Sequence, residues 1–322
     1  MAILCGVLMV GWEREKAEAV ESMLKEAGFT VSQICNSRPS CFDIAVRKGE
    51  KLVLLKFQSD VDSLSLEDSI DLETISGSVS ATSLLIGSKT REKPLEDDTI
   101  YTRYNVLAIT PRTFENIVFR KIYPIIQAGP GGFYVEVDSE TVKRRRDELG
   151  FSVGDLAETV GISRRTLYGY ERGMAKASVA AAYNLIYVLG VPVARPVDVF
   201  EKSRSMHRRC FLSNAKHAIA SKVLQRIFRK FSRYHVATVK RAPFDFVITV
   251  PEKTRIIGGV AHDGERELKR RVDEILSVSR VLRAHAVFIT DKQRLSGAKI
   301  SCIQSDELVG IREPEELVDR VT

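Results

Sequence analysis

Two arginines stand side by side at 164 and 165, directly after a serine, and a third follows at 172. A guanidinium offers parallel N–H donors that match guanine O6 and N7, a pairing worth about 1–3 kcal/mol of discrimination. A second set of chemistry-bearing residues starts at Asp43. Counting Asp43 as one, positions fourteen and sixteen hold Lys56 and Gln58. A hard divalent cation needs clustered carboxylates, and a lysine at the first of those positions brings positive charge instead. Phe244-Asp245 repeats the opening, with Gly258 and Val260 at the same offsets. Asp43 and Asp245 are therefore expected to bond backbone amides at strand ends, with no catalytic residue, metal or cofactor. Cys35 and Cys41 read as buried thiols rather than metal ligands.

The arginine pair needs a scaffold, and Val153–Arg172 supplies one. Two short helices joined by a tight turn need a small residue where they touch (Ala157) and a glycine where the chain turns left-handed (Gly161). Leu156, Val160, Ile162, Leu167 and Tyr170 face a common core, and Ser163 caps the second helix. By the 3.6-residue period Arg164, Arg165, Thr166, Tyr168, Gly169 and Arg172 lie on its solvent side. Asp138-Ser139-Glu140 caps a preceding helix, Thr141–Leu149, that ends at Gly150. Ser178 caps a following one, Val179–Leu189, that ends at Gly190. The run Lys143-Arg144-Arg145-Arg146 adds positive charge, though not all four can face one duplex.

Residues 1–128 and 199–322 read as copies of one α/β unit. The first runs helix Glu13–Ala27, strands Phe29–Ile34, Phe42–Val46 and Leu52–Phe57, helix Leu64–Ser80, then strands Ser83–Gly87 and Asn105–Thr110. The last runs Ala215–Phe231, His235–Val239, Phe244–Ile248, Arg255–Val260, Glu265–Leu282, Ala286–Thr290 and Lys299–Gln304. The hairpin turns fall at Lys48-Gly49-Glu50 and Pro251-Glu252-Lys253. The offset stays near 202 throughout, so duplication is inferred. Gly129-Pro130-Gly131-Gly132, after a helical stretch ending near Gln127, reads as a linker; it lacks the spacing of a phosphate-binding loop.

The 322 residues carry a net charge of +7, with 44% apolar and 28% charged residues, the balance of a globular chain of two or three domains. No apolar run is long enough to span a bilayer. Met1–Trp12 lacks the basic start and cleavage site of a secretory signal; it is expected to pack on the first unit, or to precede a true start at Met9. Five cysteines without a CxxC pair point to a reducing cytoplasm. Charge is polarised: Lys202–Phe244 holds twelve Lys and Arg and no acid, whereas Gln58–Asp98 holds ten acids and three bases. The basic stretch could track phosphates or pair with the acidic helix.

The α/β order resembles the restriction-endonuclease and Holliday-junction-resolvase fold, in which an Asp and, on the next strand, a Glu-x-Lys hold magnesium and activate water. With Asp43 at the Asp position but Lys56 and Gln58 at the Glu and Lys positions, the resemblance is to a catalytically degenerate form. Residues 138–192, ending on Tyr170-Glu171-Arg172-Gly173, resemble the lambda-repressor and Cro class of helix-turn-helix domains, with Val142 at the start position. Phe42-Asp43 with Leu54-Leu55-Lys56, Phe133–Asp138 and Gly161–Thr166 together resemble an archaeal family of helix-turn-helix transcriptional regulatory proteins. The resemblance implies two restriction-endonuclease-like α/β domains (1–128 and 199–322) flanking a helix-turn-helix domain (133–198). It also implies a non-enzymatic, cytoplasmic, nucleoid-associated regulator that binds double-stranded DNA as a homodimer and engages the transcription machinery. In that class the second helix enters the major groove. Arg164 and Arg165 would then read bases, Ser163, Thr166 and Arg172 would bond phosphates, and Tyr168 would serve where Gly169 offers no side chain. A nuclease or resolvase-like enzyme targeted by the middle segment and a DNA-associated assembly protein are the rival readings.

Overall fold

The computed structural model describes residues 2–91, 93–201, 221–250, 254–261, 267–290 and 300–319, with side chains from Gly11 onward. Helix α1 (Ala2–Glu26) starts well before Glu13, so the apolar opening residues prolong it. Their expected packing lies outside the described side chains. Strands β1 (Thr30–Val31), β2 (Ile44–Lys48) and β3 (Lys51–Phe57) are followed by α2 (Leu66–Val79) and β4 (Thr82–Ile86). A small hairpin, β5 (Lys89–Thr90) and β6 (Lys93–Pro94), leads to β7 (Thr99–Arg103), β8 (Val106–Ile109) and α3 (Pro111–Glu115). Ile44, Val46, Val53 and Leu55 turn to the face that Ala17, Val20 and Leu24 of α1 cover. Ala45, Leu52 and Leu54 turn to the opposite face, under Leu72, Ile75 and Val79 of α2. Burial on both faces is why these strands read as near-continuous apolar runs.

The glycine cluster at 129–132 is not a linker. It is the turn of a hairpin between β9 (Ile126–Gly129) and β10 (Gly132–Val135), which pairs Gly129 with Gly132. Gln127 lies on β9, and the helical stretch before it stops at Arg120, where Lys121 turns left-handed. Residues that break a helix suit a tight hairpin equally well. One nine-stranded sheet therefore continues from the first unit into the middle segment, in the order β1-β2-β3-β4-β8-β7-β9-β10-β11, with β11 at Ala177–Ser178.

The middle segment adds α4 (Ser139–Glu148), α5 (Val153–Val160), α6 (Arg164–Glu171) and α7 (Val179–Leu189). These pack on a core of their own around Val142, Leu156, Ala157, Leu167 and Leu185.

The last unit contains α8 (Lys222–Lys230), β12 (His235–Thr238), β13 (Phe246–Thr249), β14 (Arg255–Val260), α9 (Leu268–Leu282), β15 (His285–Thr290), β16 (Ser301–Gln304) and α10 (Glu316–Asp319). Residues 215–220, the turn at 251–253 and the start of the helix at 265 lie outside the described residues. Its sheet, β12-β13-β14-β15-β16, repeats the pairing directions of β1-β2-β3-β4-β8: two antiparallel contacts, then two parallel. The copies are duplicates in topology. One detail changes. Arg47 pairs with Leu52, but Thr249 pairs with Arg255, so the second hairpin holds one extra residue. The counterparts of Lys56 and Gln58 are thus Gly259 and Ala261, not Gly258 and Val260.

The two units share one core through α2 and α9, and their contacts are reciprocal. Asp71 on α2 accepts the amides of Lys240 and Arg241, each at 2.9 Å. Glu274 on α9 accepts those of Asn36 and Ser37, at 3.0 and 2.8 Å. Arg47 reaches the carbonyl of Val281 at the end of α9 (2.6 Å), and Thr249 reaches that of Ser78 at the end of α2 (3.0 Å). Phe42 and Phe244 meet between them, with ring centroids 6.3 Å apart. This is an internal pseudo-two-fold.

Candidate nucleic-acid interface

Local capping builds the two central helices. Ser152 and Asp155 form a reciprocal capping box on α5, and Gly161 closes that helix at φ 80°, where a Cβ would be strained. Ser163 accepts the Thr166 amide at 3.0 Å to start α6. Its hydroxyl also pairs with that of Thr166 at 2.8 Å.

Beyond the cap, α6 turns Arg164, Arg165, Tyr168 and Arg172 to the surface, with Thr166 half-buried. The three guanidiniums make no ion pair or hydrogen bond among the described residues. Arg172 lies over the Tyr168 ring, 5.2 Å from its centroid, which organises the end of the helix as a cation–π pair. Gly169 departs from expectation: it is buried. The chain turns at Gly173 and folds back, so that a Cβ on Gly169 would meet Ala175 at 3.4 Å. Helical period alone could not show this, because the covering residues follow the helix.

Arg164 has a defined resting place. A Cβ on Gly154 would stand 2.8–2.9 Å from its Nε, Cζ and Nη2, so the guanidinium lies on the first turn of α5. Hydrogen bonding from Ser152 holds the nearby Asp155 carboxyl below the usual range, and the Arg164 charge adds to this. Arg165 is exposed, with no ion pair or hydrogen bond of its side chain among the described residues.

Two of the four residues at 143–146 are structural. Arg146 is buried and Glu171 half-buried, and they pair through two bonds, Nε–Oε1 at 2.6 Å and Nη2–Oε2 at 3.2 Å. Arg146 also donates to the Phe151 carbonyl at 2.9 Å, and the Glu171 carboxylate holds its guanidinium above the ordinary range. This pair locks α4 to the reading helix. Arg145 reaches the Leu189 carbonyl at 2.9 Å. Lys143 and Arg144 stay on the surface. The Glu171 of the Tyr-Glu-x-Gly ending was the one available clue, since an acid beside apolar core positions requires a buried cation.

In the first α/β unit Lys56 Nζ lies 2.9 Å from Asp43 Oδ1 and 2.9 Å from the Ser40 carbonyl, while the Phe57 amide donates to Asp43 Oδ2 at 2.6 Å. Burial opposes the Lys56 charge, but the Asp43 carboxylate outweighs it and holds the ammonium above the usual lysine range. In the last unit the Val260 amide donates to Asp245 Oδ2 at 2.7 Å, the fully buried Arg271 bonds that same oxygen, and Arg38 of the first unit reaches Oδ1 at 2.8 Å. The magnesium site of an endonuclease fold does not fit these residues: each Asp is already bonded to a cation. The buried, unpartnered Oε1 of Gln58 is one neutral acceptor and does not offset an adjacent ammonium. Among the described residues no three His, Cys, Asp or Glu are grouped to hold a metal. Cys35 and Cys41 are buried, and neither they nor Cys302 form a disulfide among the described residues.

A restriction-endonuclease-like sheet unit joined to a capped helix-turn-helix defines a two-part class, and sequence comparison returns the same parts. The profile described as "PD-(D/E)XK superfamily domain" matches residues 13–124, and that described as "Helix-turn-helix" matches 142–195. A protein of Methanosarcina acetivorans called "Putative HTH-type transcriptional regulatory protein" is 30% identical over 306 residues, covering 92% of this chain and 93% of that one. One from Methanospirillum hungatei is 30% identical, covering 94% and 96%. One from Haloquadratum walsbyi is 32% identical, covering 93% and 92%. The chain belongs to this archaeal family.

Proposed function

We propose that this protein is a sequence-specific regulator that binds double-stranded DNA and reads the major groove with α6. The observation that carries the reading is the outward face of α6: its guanidiniums are exposed, lack carboxylate partners among the described residues, and sit on a helix held by the Arg146–Glu171 pair. The names of the archaeal relatives support it. The exposed Arg165 meets base edges, and Arg164 moves from its rest on Gly154 to do the same. Ser163, Thr166 and Arg172 set register on phosphates; Tyr168 contributes beside Gly169, which has no side chain to offer. The α/β copies act without catalysis, because the acid position of the magnesium site is Lys56 in one and Gly259 in the other.

A nuclease reading rests on the PD-(D/E)XK match alone. Magnesium-dependent DNA cleavage lost in Asp43→Ala would establish it in place of the present one. A homodimer on a two-fold site is part of the proposal. The pseudo-two-fold consumes the α2 and α9 faces within one chain, whereas α7 exposes Val179, Tyr183 and Tyr187 along one uncharged stripe. Among the described residues no helix is long and apolar enough to cross a membrane, in keeping with a cytoplasmic, nucleoid-associated protein that meets the transcription machinery at its operators.

Selection of bound sequences from a random duplex pool tests DNA binding, base preference and half-site spacing together. Arg165→Ala is expected to relax preference by about 1–3 kcal/mol at one position with the fold intact. Unchanged preference in a titration at fixed salt removes α6 as the reading element. Gly154→Ala places a methyl where the Arg164 guanidinium rests and favours helix formation. It is expected to alter the same base position as Arg164→Ala without loss of thermal stability.

A further inference from the structure

The basic stretch at 202–244 divides in the structure. At its end Arg241 faces the acidic helix, with Nε 2.6 Å from Asp68 and Nη1 3.9 Å from Glu67, while Asp71 takes two backbone amides. The acids of α2 are thus engaged without α8. Residues 202–220 lie outside the described residues.

Helix α8 is different. Val223 and Ile227 bury its inner face, with Phe231 just beyond its end. Lys222, Arg226 and Arg229 form an exposed row on the other side, and Arg233 is exposed in the turn that follows the helix. None of the four has an ion pair or hydrogen bond among the described residues. The corresponding helix of the first copy is α1, and there every described cation has an acid: Arg14 with Glu18, Lys16 with Glu15 and Lys25 with Glu21. Two helices in the same place in duplicate units thus differ in one property. One is charge-balanced, and the other presents a single sign.

We infer that the outer face of α8 is a second DNA-contact surface, which holds the phosphate backbone of a duplex without reading bases. At 1.5 Å per residue the helical part of the row, from 222 to 229, covers about 10 Å, along which a duplex presents a phosphate charge every ~1.7 Å. No large apolar side chain is exposed between 222 and 233. An acidic protein partner or a lipid surface would need such anchors, and a polyanion does not. The surface goes beyond the reading helix and does not depend on it.

The test is binding of the full-length protein to random-sequence duplex DNA across a salt series. Each phosphate contact contributes about 0.9 to the slope of log K against log salt. The variant Lys222→Gln/Arg226→Gln/Arg229→Gln/Arg233→Gln is expected to flatten that slope by about 3.6, with thermal midpoint and base preference unchanged. Arg226→Gln and Arg229→Gln alone should each remove about 0.9, which keeps the test open if the fourfold variant folds poorly. Arg14→Gln/Lys16→Gln/Lys25→Gln on α1 should leave the slope as it is. An unchanged slope in the α8 variants, or an equal fall in the α1 control, would overturn the inference. Base preference is read separately through Arg165→Ala, so either proposal can fail while the other stands.

Discussion

The two α/β copies keep the same aspartate at the same strand end and neutralise it in different ways. Asp43 is met from within its own hairpin by Lys56. Asp245 is met by Arg271 from its own α9 and by Arg38 from the other copy. Helix register explains the exchange. Asp71 and Glu274 are equivalent by their reciprocal contacts, so Asp68 on α2 stands where Arg271 stands on α9. The strand position of Lys56 is Gly259, where a Cβ would lie 2.6 Å from the Phe288 ring and 2.9 Å from Ile275. Packing has closed that route to Asp245, and a helix arginine supplies the charge instead. A buried carboxylate is thus kept in both copies only because some neighbour compensates it, and the neighbour need not sit in the same place.

Removal of the compensating cations would expose the difference. Arg271→Ala strips the buried Asp245 of its fully enclosed partner and should cost about 3–5 kcal/mol, measured as a lower urea midpoint. Arg38→Ala should cost less, since Arg271 stays. Next in size are the reciprocal clamps. Glu274→Ala and Asp71→Ala each orphan two amides across the interface and should each cost about 2–3 kcal/mol. A much larger loss from one of them would show that the pseudo-two-fold is energetically lopsided. Lys56→Met is expected to cost about 1–3 kcal/mol, because Asp43 keeps the Phe57 amide and is less enclosed.

The smallest effect concerns Glu13, which is half-buried on α1 near the Asp43–Lys56 pair. Burial raises its carboxyl above the usual glutamate range, although the Lys56 charge pulls the other way. A carboxyl raised in the folded state contributes stability that is complete below its unfolded pKa and lost as pH rises through its folded one. Glu13→Gln should therefore be more stable than the native chain at neutral pH, by the smallest margin of these variants. The gap should close as pH falls toward the ordinary glutamate range. Thermal melts across that range check the sign; a gap that widens on acidification would contradict it.

The helix-turn-helix was legible because its requirements are local: Ala157, Gly161, Ser163 and the apolar positions lie within one short stretch, and each acts on near neighbours. Gly169 was misplaced because the residues that cover it come after the helix has ended. The 143–146 run read as a basic surface because a guanidinium in a core looks the same in sequence as one in water. The glycine cluster at 129–132 read as a linker because nothing local could say that a sheet ran through it. The single inserted residue in the second hairpin likewise escaped a constant-offset comparison, and strand register revealed it.

Local patterning by itself determined the duplicated order of strands and helices, the caps of the central helices, and the lysine in place of an acid after Asp43. These follow from periodicity, backbone conformational preference and charge, which act over a few residues. Tertiary structure alone decided that the copies clasp each other about a pseudo-two-fold, that Arg38 and Arg271 converge on Asp245, and that α8 keeps its cations outward while Arg241 turns inward. Such outcomes depend on which surfaces meet across some two hundred residues of chain, and contact at that separation leaves no periodic trace.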